Sequence, residues 1–140
     1  MAFADPGKGR HVIDSGSSKL YPPTVVLVGA CSEGDILGYS SGWQRALGTG
    51  GAGLIQPRLV AMKDGVIGQT IPVSMDCVVR GYTGGTAGGV IYCDPLVAGA
   101  VSDTISTTPT DSNVVIGLLL NATDIMFFLN RRADSAVAGG

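Results

Sequence analysis

The glycine-rich stretch GTGGAG, residues 48–53, fits the G-x-G-x-x-G pattern that brings a backbone close to a dinucleotide pyrophosphate. That chemistry requires the glycines to follow a buried strand and to open a helix, because the helix N-terminus binds the phosphate. Here the stretch follows a predicted strand at 43–47 but leads into LIQPRLV, where Pro57 and the β-branched residues predict another strand. The acidic residue downstream, Asp76, belongs to an alternating strand. We therefore interpret the glycines as a loop between hairpins and expect no cofactor.

Hydrolytic chemistry has equally little support. His11, Asp14 and Ser15 supply the residue types of a nucleophilic triad, but they lie together in a polar stretch that predicts no element to fix their geometry. The G-x-S-x-G motif of hydrolases is absent from the sequence. The acidic residues needed for paired-carboxylate chemistry mostly adjoin Gly, Pro, Ser or Thr, as is typical of turns: Asp35, Asp64, Asp94, Asp111 and Asp124. We expect that the chain is not an enzyme.

The three cysteines, Cys31, Cys77 and Cys93, lack C-x-x-C spacing, and the chain has one histidine. Neighbouring positions therefore offer no zinc tetrad, and we expect no metal site. Cys77 falls on the apolar face of a predicted strand, which favours a small buried hydrophobic residue over a thiol nucleophile.

Composition indicates how the surface is used. The chain has 140 residues, enough for one domain, with 22 glycines, 45% hydrophobic residues and only 14% charged residues. An average soluble protein has roughly 25% charged residues. So few charges predict a surface that other chains cover, in an obligate oligomer or a larger assembly. A glycine-rich β-protein with a featureless surface is the alternative.

Charge and hydropathy exclude two classes of partner. The net charge is −2, which gives no general attraction to nucleic acid, although residues 1–22 carry three basic and two acidic side chains and could reach an acidic surface. The most hydrophobic window, VVIGLLLNATDIMFFL, is interrupted by polar residues and too short to cross a bilayer. The N-terminus lacks the apolar core of a secretory signal. We expect a soluble protein made in a reducing cytoplasm, where the sequon at Asn121 is a turn.

Hydrophobic periodicity predicts strands rather than helices. The clearest signal is the alternation of Ile71, Val73, Met75, Cys77 and Val79, which predicts one strand with one face on a core. Hairpins are predicted across 40–42, 64–68 and 121–123. The predicted fold is all-β, a small β-barrel or sandwich built from hairpins. We divide the chain into an extended N-terminal arm at 1–22, a β-barrel domain at 23–129 and a flexible C-terminal tail at 130–140.

The phrases EGDILGY, GWQRAL, RLVAMKDGVIGQTIPVSMDCVVRGYTGGTAGGVIYCD and VVIGLLLNATDIMFF, read in order, resemble a recurring pattern of tailed bacteriophages. The pattern occurs in capsid decoration (cement) proteins and in the base domains of head fibres, and the resemblance covers about residues 24–129. It implies a homotrimer of β-barrels or β-tulips on the outer capsid surface, assembled in the host cytoplasm, with an arm that ties neighbouring capsomers. The chain departs from the pattern in its glycine-rich body and its weakly basic ends.

The resemblance implies a structural protein that stabilises the phage head. Its expected partners are the major capsid protein and neighbouring decoration trimers, and neither nucleic acid nor a membrane. We expect capsid binding by apolar and basic residues of the arm: Phe3, Lys8, Arg10, Val12, Ile13, Lys19, Leu20 and Tyr21. The alternative is a receptor- or glycan-binding module of a fibre or tail, in which Trp43 or Tyr82 makes the contacts.

Overall fold

A computed structural model describes residues 2–14 and 22–129 of the chain. These residues form strands and turns with no α-helix, so the predicted all-β class is confirmed. The strands are β1 (His11–Asp14), β2 (Thr24–Val26), β3 (Ile36–Tyr39), β4 (Trp43–Arg45), β5 (Leu59–Ala61), β6 (Thr70–Ser74), β7 (Asp76–Arg80), β8 (Val90–Cys93), β9 (Val101–Ser102), β10 (Val115–Leu119) and β11 (Asp124–Phe128).

The strands form two antiparallel sheets. The six-stranded sheet has the order β1-β7-β11-β10-β8-β9, and the five-stranded sheet has the order β2-β6-β5-β3-β4. The larger hydrophobic cluster contains residues of both sheets, among them Ile36 and Val60 from the five-stranded sheet and Val79 and Phe127 from the six-stranded sheet. The main core therefore lies between the inner face of the six-stranded sheet and one face of the five-stranded sheet.

The five-stranded sheet curls back on itself. The residue after β2, Leu27, forms a parallel bridge with Trp43 of β4, which lies at the opposite edge of the sheet. The curled sheet encloses a second cluster, which includes Leu27, Leu37 and Val73. Successive residues of a strand face opposite sides, so Ile36 faces the main core and Leu37 faces the second cluster. This half of the molecule is barrel-like.

Short turns join the predicted hairpins. The β3–β4 turn carries positive φ at Ser41 (56°) and Gly42 (144°), and the Ser40 amide donates to the Gly42 carbonyl at 2.9 Å. The hairpins across 64–68 and 121–123 are present as the β5–β6 and β10–β11 pairs. In the last turn, the Asn121 side-chain oxygen accepts from the Thr123 and Asp124 amides at 2.8 and 2.9 Å, so the sequon forms the expected turn.

The long alternating run forms two strands rather than the predicted single strand. The chain leaves the five-stranded sheet at Ser74 and enters the six-stranded sheet at Asp76. The Ser74 hydroxyl donates to the Asp76 carbonyl at 2.8 Å and accepts from the Asp76 amide at 3.2 Å. These local bonds hold a corner at Met75, whose side chain is 44% exposed instead of belonging to the core. The other apolar residues of the run are buried as expected.

The N-terminal residues differ from the predicted free arm. Residues 2–14 pack against the body: β1 pairs with β7, and Ala4 bridges Thr83. The amide of Val12 on this edge strand donates to a Glu33 carboxylate oxygen at 2.7 Å. Sequence periodicity missed this packing because pairing of a short edge strand depends on distant residues. Residues 15–21 of the predicted arm and the predicted tail at 130–140 lie outside the described residues.

The GTGGAG stretch is a loop, as predicted, and it contains a short 3-10 turn at Gly51–Gly53. Gly50, just before this turn, lies close to Thr110. A Cβ at Gly50 would lie 1.8 Å from the Thr110 hydroxyl oxygen and 2.7 Å from the Thr110 backbone carbon. We expect Gly50→Ala to lower the free energy of unfolding by about 1–3 kcal/mol, as overpacking does. Gly29→Ala is the control, because its nearest contact would be 3.6 Å away. Urea unfolding of both variants tests this, and equal stabilities would contradict it.

Candidate functional site

The residues with possible catalytic chemistry do not converge. His11 lies on the edge strand β1 with its side chain 72% exposed, and its Nδ1 is 3.9 Å from Glu33. Ser15 lies outside the described residues. All three cysteines are buried. Burial raises the pKa of the Cys31 thiol to about 11, so this thiol is protonated at neutral pH and a poor nucleophile.

A buried ionic cluster holds the N-terminal segment to the body. Arg10 is 1% exposed, and its Nη1 lies 3.2 Å from both carboxylate oxygens of Asp5. Its Nη2 donates to the Gly7 carbonyl at 2.9 Å and to the Asp35 carboxylate. A buried guanidinium needs this many acceptors because burial removes its hydration. Arg10 is therefore a structural residue of the subunit, and the carboxylates that it meets belong to its own chain.

Both carboxylates of the cluster have further donors. Asp5 accepts from the Val101 amide at 3.1 Å, and Asp35 accepts from the Ser32 amide at 2.8 Å and from Arg45 Nε at 2.7 Å. Burial raises the pKa of the Asp5 carboxyl, and the Arg10 guanidinium opposes this rise. Asp35 is thus a member of the ionic cluster and also closes the Ser32–Asp35 turn, as its neighbours in the sequence indicated, because its amide donates to the Ser32 carbonyl at 2.9 Å.

Tyr82 lies beneath the N-terminal segment. It is 1% exposed, and the Phe3 ring stacks on it with a centroid distance of 5.8 Å. Burial, followed by the charge of Asp5, raises the pKa of its hydroxyl far above the usual value. Tyr82 is therefore unavailable for the ligand contact that the alternative function assigned to it. Trp43 is half-buried and meets Tyr39 edge-on at 5.4 Å.

The outer face of the six-stranded sheet carries a continuous apolar row. Val78 pairs with Met126, Met126 with Leu118, and Leu118 with Val90, across four adjacent strands. We call these four residues the outer row. Met126 is 38% exposed and Val90 is 42% exposed, while the other two are half-buried. Ile13 of β1, 46% exposed, lies at the Val78 end of the row, where β1 has a bulge.

A second set of apolar residues widens this face. Phe128 follows Met126 by two positions on β11, and Val115 pairs with Tyr92 between β10 and β8. All three are half-buried. The outer face is thus apolar across its middle, where an antiparallel sheet facing water normally carries polar side chains.

Two charged groups of the outer face, Arg80 and Asp124, are paired with each other. Arg80 and Asp124 stand opposite each other on β7 and β11 and form two hydrogen bonds of 3.0 Å. The Arg80 side chain is 59% exposed and covers a nearly buried Asp124 carboxylate. The face therefore presents an apolar middle bounded by an internally neutralised ion pair.

The Arg80–Asp124 ion pair predicts how the stability of the protein changes at acidic pH. The hydrogen bond from Arg80, with help from Thr123 and Asn121, lowers the pKa of Asp124 from 3.8 to about 2. A carboxyl whose pKa is lower in the folded protein stabilises the fold above pH 4, and this contribution disappears as the pH falls towards 2. We expect Arg80→Gln to be less stable than the wild type at pH 7 and equal to it near pH 2. Thermal unfolding of both proteins from pH 2 to 7 measures this difference, and a gap independent of pH would contradict it.

The predicted arm residues have different positions. Phe3 and Val12 pack on the core, Arg10 is buried, and Lys8 and Ile13 are exposed. Lys19, Leu20 and Tyr21 lie outside the described residues. The structure therefore does not bring these eight residues together as one binding surface. Whether the exposed members contact a capsid stays a prediction.

The outer row was missed because it depends on strand register. Each of its four residues is an apolar outward residue of its own strand, and within one strand each could be mistaken for a core residue. The sequence signal was the continuous apolar run at 114–120, which is too long for one face alone. Val114, Ile116 and Leu119 are buried in the subunit, and Val115, Leu118 and Leu120 are the outward residues.

Two shallow depressions lie beside the N-terminal segment. One of about 400 Å³ is lined by Lys8, Cys31 and Arg45, and another of about 520 Å³ by Phe3, Asp5 and Asp103. Within 2–14 and 22–129, no group of three or more His, Cys, Asp or Glu side chains could hold a metal ion. The same residues include no helix long and apolar enough to span a membrane.

No family model, curated protein or solved structure matches the chain.

Proposed function

We propose that the chain is a capsid decoration protein of a tailed bacteriophage, which binds the outer surface of the head as a homotrimer. Its partners are the major capsid protein and neighbouring trimers. In this role it stabilises the head by tying capsomers together and has no enzymatic activity, cofactor, nucleic-acid partner or membrane partner. The motif resemblance over about residues 24–129 supports the phage assignment.

The apolar outer face supports a role in an assembly. Singly exposed apolar residues are normal on monomers, so the support comes from the contiguous outer row, in which Val90 and Met126 are 42% and 38% exposed. A subunit that contacts other chains would cover such a row.

Head binding tests the proposed function. Purified protein is mixed with undecorated heads assembled from the major capsid protein of the same genome, and the heads are then sedimented. We expect saturable binding in multiples of three copies and a higher temperature of head disruption. A lysozyme of similar mass is the control for non-specific trapping. Failure to co-sediment at micromolar concentration, with a folded protein, would contradict the proposal.

The Tyr39–Trp43 pair supports a second candidate, a receptor- or glycan-binding module. Tyr39 is 63% exposed at the end of the β3–β4 hairpin and meets Trp43 edge-on. Exposed aromatic rings are suited to the apolar faces of sugar rings. Binding to a glycan array that is lost in Trp43→Ala, together with absence of head binding, would favour this candidate.

A further inference from the structure

We propose that the outer face of the six-stranded sheet is the surface through which copies of this chain associate, with the outer row at its centre. The inference rests on the proposed function, which requires copies to associate, and it adds the surface that they use. Three such faces turned towards a common axis would cover one another and remove the outer row from water.

The size of the face suits a weak association of copies. Six strands spaced about 4.8 Å apart, with up to five residues of about 3.3 Å each, give a flat area of about 400 Å² for the whole face, polar residues included. This area is smaller than the roughly 800 Å² that each partner contributes to a standard interface. We therefore expect association that depends on concentration in the micromolar range.

The charges of the face favour a second copy over a charged partner. Arg80 is paired with Asp124 in the same face, and His11 lies near Glu33. Because Arg80 is neutralised by Asp124 within the face, two copies can meet without bringing unpaired arginines together. The same pairing leaves an acidic partner no free Arg80 to bind, and Asp76 is the further carboxylate of the face, opposite Phe128. Apolar burial remains as the driving force, and a symmetric interface supplies an apolar partner of matching shape.

A charge placed in the outer row tests the inference. Met126→Glu would bury a carboxylate in an apolar interface, so we expect the dissociation constant of the assembly to rise by about 100-fold or more. Leu96→Glu is the matched control, because Leu96 is 88% exposed in the loop between β8 and β9 and is not part of the outer row. Sedimentation velocity from 1 to 100 µM gives the mass of each protein, and circular dichroism reports folding. We expect monomers for Met126→Glu and wild-type assemblies for Leu96→Glu.

Mixing complementary variants separates an interface from a folding defect. Met126→Glu and Met126→Lys should each be monomeric, and an equimolar mixture should regain part of the assembly, because a mixed trimer carries a net charge of one at residue 126 instead of three like charges. If Met126→Glu does not fold, the same pair of substitutions is made at Val90, which is 42% exposed in the same row.

Three outcomes would overturn the inference: a monomeric wild type at 100 µM, an outer-row variant with the wild-type mass, or equal dissociation by the Leu96 control. Head binding distinguishes failure of the inference from failure of the proposed function. A wild type that assembles through this face but does not bind heads would contradict only the proposed capsid function. A wild type that binds heads as a trimer, and whose assembly is insensitive to these substitutions, would contradict only the proposed association surface.

Discussion

Replacing Arg10 with methionine is expected to lower the free energy of unfolding by about 3–5 kcal/mol, the usual cost of removing one partner of a buried ion pair. The substitution keeps much of the side-chain volume but leaves the Asp5 carboxylate without its cation. Asp35 keeps its ion pair with Arg45, so the buried Asp5 carboxylate accounts for most of the loss of stability. Chemical denaturation at pH 7 measures the loss.

The loss of stability in Arg10→Met should depend on pH and on the presence of the Asp5 carboxyl. Without Arg10, burial raises the pKa of Asp5 further, so the variant's deficit should shrink as the pH falls and the carboxyl is protonated. The double variant Arg10→Met with Asp5→Asn should be more stable than Arg10→Met alone. Arg80→Gln is the comparison, since water can replace the exposed Arg80 side chain at Asp124, and this substitution should cost less than the Arg10 loss. Equal losses at Arg10 and Arg80 would refute the structural role of the buried cluster.

Deleting residues 1–10 should have the second large effect. The truncation removes the Phe3 ring from Tyr82 and Arg10 from its carboxylates, and it leaves β1 without the preceding segment. We expect a loss of at least about 4 kcal/mol, which is a large part of the 5–15 kcal/mol that stabilises an ordinary domain. The truncated protein should unfold at a much lower temperature and be cleaved rapidly by proteases.

A shorter deletion separates the contributions of the segment. Removing residues 1–4 takes away the Phe3–Tyr82 contact but keeps the ionic cluster, so it should cost only about 1–2 kcal/mol, as a partly buried aromatic residue does. Calorimetric scans of the full chain and both truncations provide the comparison. If the 1–10 truncation melts within a few degrees of the full chain, these residues contribute little to stability, and the prediction is contradicted.

Local signals predicted the strands and the hairpins of this fold. The Ser40–Ser41–Gly42 turn and the alternation around Ile71 and Val79 depend on neighbouring residues, and the structure has the corresponding elements. The corner at Met75 was not predictable from alternation, because the period of two continues unbroken through Ser74 and Asp76. Only the sheet to which the chain belongs changes there, and pairing with strands that are distant in the sequence determines that sheet.

The candidate site was less predictable than the strands. Arg10 and Asp35 are separated by 25 positions, and no spacing rule connects them. Their pairing follows from the packing of residues 2–14 on the body. The sequence predicted these residues as part of an extended arm. The outer row likewise requires the register of four strands, since Met126 and Leu118 meet only after β10 and β11 are aligned.

The Glu33 carboxylate that accepts from the Val12 amide also bears on how the protein behaves at high concentration. An edge strand with a free amide is a template on which another chain can add a strand, and repeated addition leads to fibres. Here one such donor on β1 is already occupied by a charged side chain, and the opposite edge of the sheet, β9, is only two residues long. Growth along the hydrogen-bonding direction is therefore discouraged at both ends. Assemblies that form through faces can close at a fixed number of copies, whereas those that form through edges have no natural end.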